Sequence, residues 1–183
     1  SLVAGTGADT ITLATQIANG SLDLGAGKDT ITLSDAGANT ASVSNVETLV
    51  GGANNDTVTI TATLSKASID LGSGADKLTL GKFANVATVS NVESLVGGDL
   101  ADTVTLASGL TSSDSVNLGS GADKLILADI ANTATIANVE SVVGGSDADT
   151  ITISTLLSKG SVDLGAGSDA VTLGNFANSA TVT

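Results

Sequence analysis

Several residue types that carry much of protein chemistry are absent from this 183-residue chain. It contains no cysteine, histidine, arginine, proline, methionine, tryptophan or tyrosine, and only two phenylalanines. Without cysteine and histidine, disulfides and thiolate or imidazole metal sites are excluded, and the commonest general acid–base and nucleophilic groups are lacking. We therefore expect no enzymatic activity.

Positive charge is also scarce. Six lysines face 19 acidic residues, which gives a net charge of −13. Nucleic-acid binding needs basic side chains to neutralise phosphates, so no nucleic-acid partner is expected. No apolar run approaches the ~20 residues of a membrane span. What the chain does have is 22 glycines, 42% hydrophobic residues and many carboxylates, whose oxygens can bind hard cations.

The sequence is a tandem repeat with a mean period of about 46.5 residues. One series of aspartates, Asp9, Asp56, Asp102 and Asp149, recurs at steps of 47, 46 and 47 residues. A second series, Asp29, Asp76, Asp123 and Asp169, recurs at steps of 47, 47 and 46. We divide the chain into repeats at about 1–45, 46–91, 92–138 and 139–183, which together form one array over 1–183.

Short alternating segments fill each repeat. The type Thr10-Ile11-Thr12-Leu13 occurs twice per repeat, and the types Ser21–Leu24 and Ala41–Val43 occur once each. Alternation at period 2 predicts strands with apolar side chains inside and threonines outside. We predict an all-β protein, a parallel β-solenoid of about eight coils of ~23 residues. One coil per 46-residue repeat would leave more interior than these apolar stripes can fill.

A glycine-rich turn that ends at an aspartate recurs in each half-repeat. If coils stack, carboxylates ~5 Å apart in a single column would repel by about 3 kcal/mol per pair at an effective dielectric near 20, and less if they form two columns. Calcium, bound by carboxylates and turn carbonyls at some or all turns, would neutralise them. The alternative is that each aspartate caps its own turn through hydrogen bonds to the backbone. The candidate metal ligands are Asp9, Asp29, Asp56, Asp76, Asp102, Asp123, Asp149 and Asp169, with turn backbone at Gly5, Gly7, Gly25, Gly27, Gly52, Gly72, Gly74, Gly98, Gly119, Gly121, Gly145, Gly165 and Gly167.

These turns resemble a known calcium-binding motif. Gly51–Thr59 and Leu24–Thr32 are similar to the nonapeptide Gly-Gly-x-Gly-x-Asp-x-apolar-x of RTX (hemolysin-type) repeats, with Asn54 for the third glycine and Leu24 for the first. The resemblance implies type I secretion, folding in external calcium and a place on the cell surface. This chain has one nonapeptide per half-repeat, whereas RTX β-rolls use two consecutive ones per turn, so calcium at only some turns is one expectation.

Other recurring polar positions have simpler interpretations. Glu47, Glu93 and Glu140, and likewise Asp23, Asp70 and Asp163, are expected on solvated faces. Asn39, Asn85, Asn132 and Asn178 are expected to stack on one another as an asparagine ladder. Phe83 and Phe176 are expected to fill the core. Asn54 and Asp147, which replace a turn glycine, are expected to tolerate the left-handed backbone region.

The functional expectation is an extracellular structural module of a bacterial surface layer, matrix fibre or adhesin. Ser1-Leu2-Val3 aligns with Ser94-Leu95-Val96, and neither end carries a polar capping repeat. Either the chain belongs to a longer array or copies stack head to tail into filaments. The alternative function is ice or surface binding through outward Thr-x-Thr rows, such as Thr10/Thr12 and Thr57/Thr59.

Overall fold

The computed structural model describes all 183 residues and contains only β-strands, turns and bends. It therefore confirms the predicted β-solenoid. None of its segments forms a helix with the length and hydrophobicity needed to cross a membrane.

Twenty strands alternate between two parallel ten-stranded sheets. Sheet 1 holds the odd-numbered strands: β1 (Leu2–Val3), β3 (Ala18–Asp23), β5 (Thr40–Ser44), β7 (Thr57–Ile60), β9 (Lys77–Thr79), β11 (Ser94–Gly98), β13 (Ser115–Gly119), β15 (Thr133–Ala137), β17 (Thr150–Ile153) and β19 (Ala170–Leu173). Sheet 2 holds the even-numbered strands: β2 (Thr10–Thr12), β4 (Thr30–Thr32), β6 (Thr48–Gly52), β8 (Ser65–Gly72), β10 (Val86–Ser90), β12 (Thr103–Leu106), β14 (Lys124–Ile126), β16 (Ser141–Gly145), β18 (Ser158–Gly165) and β20 (Ser179–Val182).

The predicted count of about eight coils roughly matches the structure, although the coils are shorter than the predicted half-repeat. Leu2 lies opposite Leu22 in the next coil, and Val43 lies opposite Ile60. Each 46-residue repeat thus holds five strands, or two and a half coils, because β6, β11 and β16 are strands that the sequence pattern hides. Their Gly-Gly pairs indicate a turn, yet the glycines extend the strand.

Gly51 shows why glycine is needed inside that strand. A Cβ at Gly51 would lie 2.2 Å from the carbonyl oxygen of Leu71 in the next coil. The backbones approach so closely there that no side chain fits, and this is one of the recognised reasons for glycine within a strand.

The interior between the two sheets is filled by one cluster of 36 buried apolar residues. Leu49, Ile69 and Val89 are aligned partners in successive coils and are at most 1% exposed. The prediction that inward-facing Val, Ile and Leu form a continuous column is therefore confirmed. Phe83 and Phe176 are not part of this core, since they are 40% and 53% exposed, so that expectation is wrong.

Candidate site: acidic columns at the two turn edges

A column of side chains runs along each edge of the solenoid, made by the residue that ends each turn, except that Leu110 lies four residues before its turn ends at Asp114. Because a repeat contains five strands, an odd number, equivalent residues of successive repeats fall on opposite edges. The first column, at turns from sheet 1 to sheet 2, contains Asp9, Asp29, Glu47, Leu64, Asn85, Asp102, Asp123, Glu140, Leu157 and Asn178. The second column, at turns from sheet 2 to sheet 1, contains Ile17, Asn39, Asp56, Asp76, Glu93, Leu110, Asn132, Asp149 and Asp169.

The eight predicted aspartates therefore form two columns of four. Within each column they stand as adjacent pairs, one from each series, such as Asp56 with Asp76. A glutamate, an apolar residue and an asparagine separate one pair from the next. The alternative of a single column of eight carboxylates is excluded.

Hydrogen bonds link each column from coil to coil. In the second column the N–H of Asn39 donates to Oδ1 of Asp56 (2.7 Å). The N–H of Asp56 donates to Oδ1 of Asp76 (2.6 Å), and the N–H of Asp76 donates to Oε2 of Glu93 (2.6 Å). Each acidic side chain thus accepts the backbone N–H of the residue one coil earlier.

The first column repeats this arrangement two and a half coils later. Asn85 donates its N–H to Asp102 (2.9 Å), Asp102 to Asp123 (2.7 Å) and Asp123 to Glu140 (2.8 Å). The apolar member closes the series, because the N–H of Leu64 donates to Oδ1 of Asn85 (3.1 Å). The columns therefore satisfy buried backbone N–H groups that would be costly to leave unpaired.

Within each pair, the two series of aspartates differ in their second carboxylate oxygen. In the first series, Oδ2 of Asp56 and of Asp102 accept the N–H of Gly52 (3.1 Å) and of Gly98 (3.2 Å) in the same turn. In the second series, Oδ2 of Asp29, Asp76 and Asp123 is buried and has no hydrogen-bond partner. Oδ2 of Asp149, a member of the first series, is the exception, because it is also buried without a hydrogen-bond partner. An unpaired buried carboxylate oxygen carries a desolvation cost and is available to a further ligand.

No lysine neutralises these carboxylates. The one ion pair in the structure joins Lys82 and Asp99 (3.4 Å), which are exposed in the turns that end at Asn85 and Asp102, and it includes no carboxylate of either column. Burial raises the pKa of Asp76 to about 6, opposed by its hydrogen bond from Asp56 and reinforced by the charges of Asp56 and Glu93. The pKa of Asp123 is likewise raised to about 6, mainly by burial and further by the charges of Glu140 and Asp102.

The turn glycines divide according to the series they serve. Those before the second-series aspartates have positive φ: Gly25, Gly72, Gly74, Gly119, Gly121, Gly165 and Gly167. Those before the first series, and Gly27, do not: Gly5, Gly7, Gly52, Gly98 and Gly145. Asn54 and Asp147 also avoid the left-handed region; Asn45, Asn91 and Asn138 adopt it instead, so that expectation is wrong.

Two further expectations about polar positions are wrong. Asn85 and its equivalents do not stack on one another, because successive repeats place them on opposite edges, and Asn39, Asn85 and Asn132 each donate to an aspartate one coil on. Glu47, Glu93 and Glu140 are not merely solvated, since each ends a run of column hydrogen bonds. Their spacing of 17 or 18 residues after the second aspartate is a signal that could have placed them in the column.

The Asp23 set is partly solvated but also has a structural contact. Oδ1 of Asp23 accepts the N–H of Gly25 (3.2 Å) and the Nδ2 of Asn45 (2.7 Å), and these bonds hold the pKa of Asp23 below its ordinary value. Asp70 makes the same two contacts, with Gly72 and Asn91. These residues cap the glycine turns, whereas the column residues accept the backbone N–H groups of the residues that precede the strands.

The charge and the number of these oxygen donors can be compared with what a calcium ion requires. Asp29, Asp76 and Asp123 each have an acidic residue one coil earlier in the column, and carboxylate oxygens are ligands that a hard cation prefers. First-series Asp56 and Asp102 already use both oxygens for N–H groups. Nowhere do three acidic side chains converge on one point, so backbone carbonyls and water would have to complete the six to eight oxygen ligands of calcium. The second-series positions fit the ion better than the first.

Comparison with protein-family models, with curated proteins and with solved structures gives no match to this chain.

Proposed function

We propose that this chain is a structural module, a rod-shaped β-solenoid stabilised by calcium on the outside of a bacterial cell. The observation that supports it is the uninterrupted stack: both sheets run through ten strands, and each strand pairs in parallel with the next. At the ~4.8 Å strand spacing the rod is about 43 Å long. A surface layer, a matrix fibre or an adhesin stalk would each use such a spacer.

In this proposal the second-series aspartates bind the calcium. Asp29, Asp76 and Asp123 would hold it with the carboxylate oxygen that accepts no hydrogen bond, and bound calcium would supply positive charge between stacked carboxylates. The resemblance of the turns to RTX repeats supports the choice of ion and an extracellular place, where calcium is abundant. Catalysis is not part of the proposal, because the acidic side chains are already engaged by backbone N–H groups.

Ice binding has less support from the geometry. Because equivalent strands alternate between sheets, the Thr-x-Thr pairs are split between two faces. Thr10/Thr12 and Thr30/Thr32 are neighbours on sheet 2, but the next strands place Val50 and then Asp70 in the row of Thr12 and Thr32. An array of paired Thr-x-Thr strands is therefore two strands wide at most on that face, although the row of Thr10 and Thr30 continues to Thr48.

The test is a thermal melt in calcium and in chelator, on the wild-type chain and on Asp123→Asn. The asparagine keeps one oxygen to accept the Asp102 N–H and replaces the unpartnered Oδ2 with an amide. We expect calcium to raise the melting temperature of the wild type. Asp123→Asn should melt higher than wild type in chelator, because a buried charge is gone, and should gain less from calcium.

The matched control is Asp163→Asn, which removes one charge at an exposed position where another repeat already has Asn117. It should respond to calcium as the wild type does. A wild-type melting temperature that is the same in calcium and in chelator would show that the aspartates serve only as hydrogen-bond acceptors.

A further inference from the structure

The six lysines of this chain are unevenly distributed around the solenoid. We call the turns from sheet 1 to sheet 2, with the strand ends that adjoin them, the first edge, and the turns from sheet 2 to sheet 1, with theirs, the second edge. Lys77 is the one lysine on the second edge. The other five are exposed on the first edge: Lys28, Lys66, Lys82, Lys124 and Lys159.

The acidic residues outside the two columns have the opposite distribution. Two of them, Asp23 and Asp99, adjoin the first edge, and Asp99 is already paired with Lys82. The remaining six adjoin the second edge: Asp35, Asp70, Asp114, Asp129, Asp147 and Asp163. All of these six except the buried Asp114 are at least partly exposed. The surface of the first edge is therefore basic relative to that of the second, although both edges cover a buried acidic column.

Equivalent positions of successive repeats change their charge as they change edge. Two residues after the buried leucine that follows β4, β9 and β14, the chain has Asp35, Lys82 and Asp129 in turn. The two aspartates lie on the second edge and the lysine lies on the first. Likewise a lysine follows the apolar column residue by two positions only on the first edge, at Lys66 and Lys159. Because the repeat places equivalent residues on alternate edges, this alternation keeps each edge uniform in charge.

Sheet 2 connects the two edges, so that a lysine and an aspartate lie at opposite ends of the same strands. Four of its strands, β4, β8, β14 and β18, have a lysine beside the start and an aspartate beside the end. The pairs are Lys28 with Asp35, Lys66 with Asp70, Lys124 with Asp129, and Lys159 with Asp163. Two copies placed side by side in the same orientation, without a shift along the rod, would therefore set each of these lysines opposite the aspartate of the equivalent strand.

The first edge also exposes apolar side chains among its lysines. Phe83 and Leu100 lie in successive turns with coils on both sides of them, and they are 40% and 52% exposed. Leu156 on the same edge is 51% exposed. In the turns of the second edge, Ile130 alone is exposed to this degree. Aromatic and apolar side chains inside a polar rim are typical of protein–protein contacts, and this favours a protein over a purely ionic polymer as the partner.

We propose that a second copy of this chain docks sideways, with its second edge against the first edge of the first copy and with both rods pointing the same way. The four lysine–aspartate pairs, Phe83 and Leu100 then lie in the contact. Because the contact is heterologous and does not close, further copies add at either side and build a layer one rod thick. Each exposed pair contributes little alone and is screened by salt, so the contact depends on ionic strength. This inference rests on the proposed structural role and names its partner.

The test compares two lysines that occupy equivalent positions on opposite edges. Lys124 and Lys77 each follow a second-series aspartate directly, so Lys124→Glu and Lys77→Glu change the charge beside a calcium position equally. The double variant Lys124→Glu/Asp129→Lys exchanges the two charges of β14 and restores an opposite pair between copies. Sedimentation in calcium, at low and at high salt, measures mass against concentration. Circular dichroism checks folding, and the melt in calcium and in chelator is recorded for each variant.

We expect the wild type to associate at low salt and to dissociate at high salt. Lys124→Glu should lower the association constant about tenfold, since an attraction becomes a repulsion. Lys77→Glu should not lower it, and the double variant should recover most of the loss. Equal losses for the two single variants would overturn the assignment of the edges, and a double variant without recovery would overturn the pairing.

A wild type that stays a single chain at every concentration would also overturn the inference. If those single chains bind polygalacturonate, an acidic polysaccharide, the first edge takes an anionic polymer and not a second copy. Single chains that keep the calcium-dependent melt would leave the structural role standing. Association without a calcium-dependent melt would instead count against the proposed role of calcium and leave the sideways contact standing.

Discussion

The stacked carboxylates make the metal-free protein more stable in mild acid. The pKa of Asp76 and of Asp123 is about 6 in the folded chain, against an ordinary value of 3.8. Because the folded-state pKa is raised, the folded chain takes up protons that the unfolded chain does not. The stabilisation is fully present below about pH 3.8 and is lost as pH rises through about 6.

Its size follows from these two values. Between pH 7 and pH 5 each site contributes about 1.4 kcal/mol, and about 1 kcal/mol after allowance for solvent screening at the turn edge. Both sites together should add about 2 kcal/mol to the free energy of unfolding. Asp23 and Asp129, whose pKa values are lowered, act in the opposite sense only in stronger acid.

The assay is urea unfolding in chelator at pH 7, 6 and 5, followed by circular dichroism. The wild type should become more stable at each step, and the double variant Asp76→Asn/Asp123→Asn should show a flat profile. Asp163→Asn is again the charge-matched control. A wild type that loses stability between pH 7 and pH 5, or a double variant that keeps the rise, would refute the argument about buried stacked carboxylates.

Two further predictions concern single positions in the turns. Gly72→Ala should lower the free energy of unfolding by about 2 to 4 kcal/mol, since φ is +87° and a Cβ would lie 2.1 Å from the Gly52 oxygen; Gly7→Ala, where a Cβ meets nothing within 4 Å, should cost far less in the same urea melt. Asn85→Ala should cost about 2 to 4 kcal/mol, because it leaves the Leu64 N–H and the Gly81 and Phe83 oxygens unpaired, whereas Asn55→Ala at an exposed turn should change the urea midpoint little; equal effects of the two would contradict the buried column.

Much of this architecture could be predicted from periodicity. The two aspartate series and alternation such as Thr10–Leu13 indicate strands, repeats and a stack, because a period-2 apolar pattern in short segments has few other ways to bury its side chains. The coil length could not be predicted from the same sequence pattern. Only two of the five turns in a repeat carry the Gly-Asp motif, and the glycines of Gly51–Gly52 conceal a strand behind a turn signal.

The composition of the columns follows from the number of strands in a repeat. Once five strands rather than four are counted, Asn85, Asp102, Asp123 and Glu140 all fall at strand entrances on one edge, although 17 to 21 residues separate each from the next. Sequence spacing alone assigned the glutamates to solvent and the asparagines to their own ladder. The odd number of strands in a repeat brings these residues together on one edge, and local propensities give no information about that number.

The most direct test of the account is a crystal structure grown in calcium, at a resolution that shows ordered ions. The expected result is coils of 17 to 22 residues and the N–H of Asp102 on the carboxylate of Asp123, with ion density beside Oδ2 of Asp29, Asp76 and Asp123. Coils as long as a half-repeat, or ions beside first-series aspartates such as Asp56 and Asp102 instead, would contradict it.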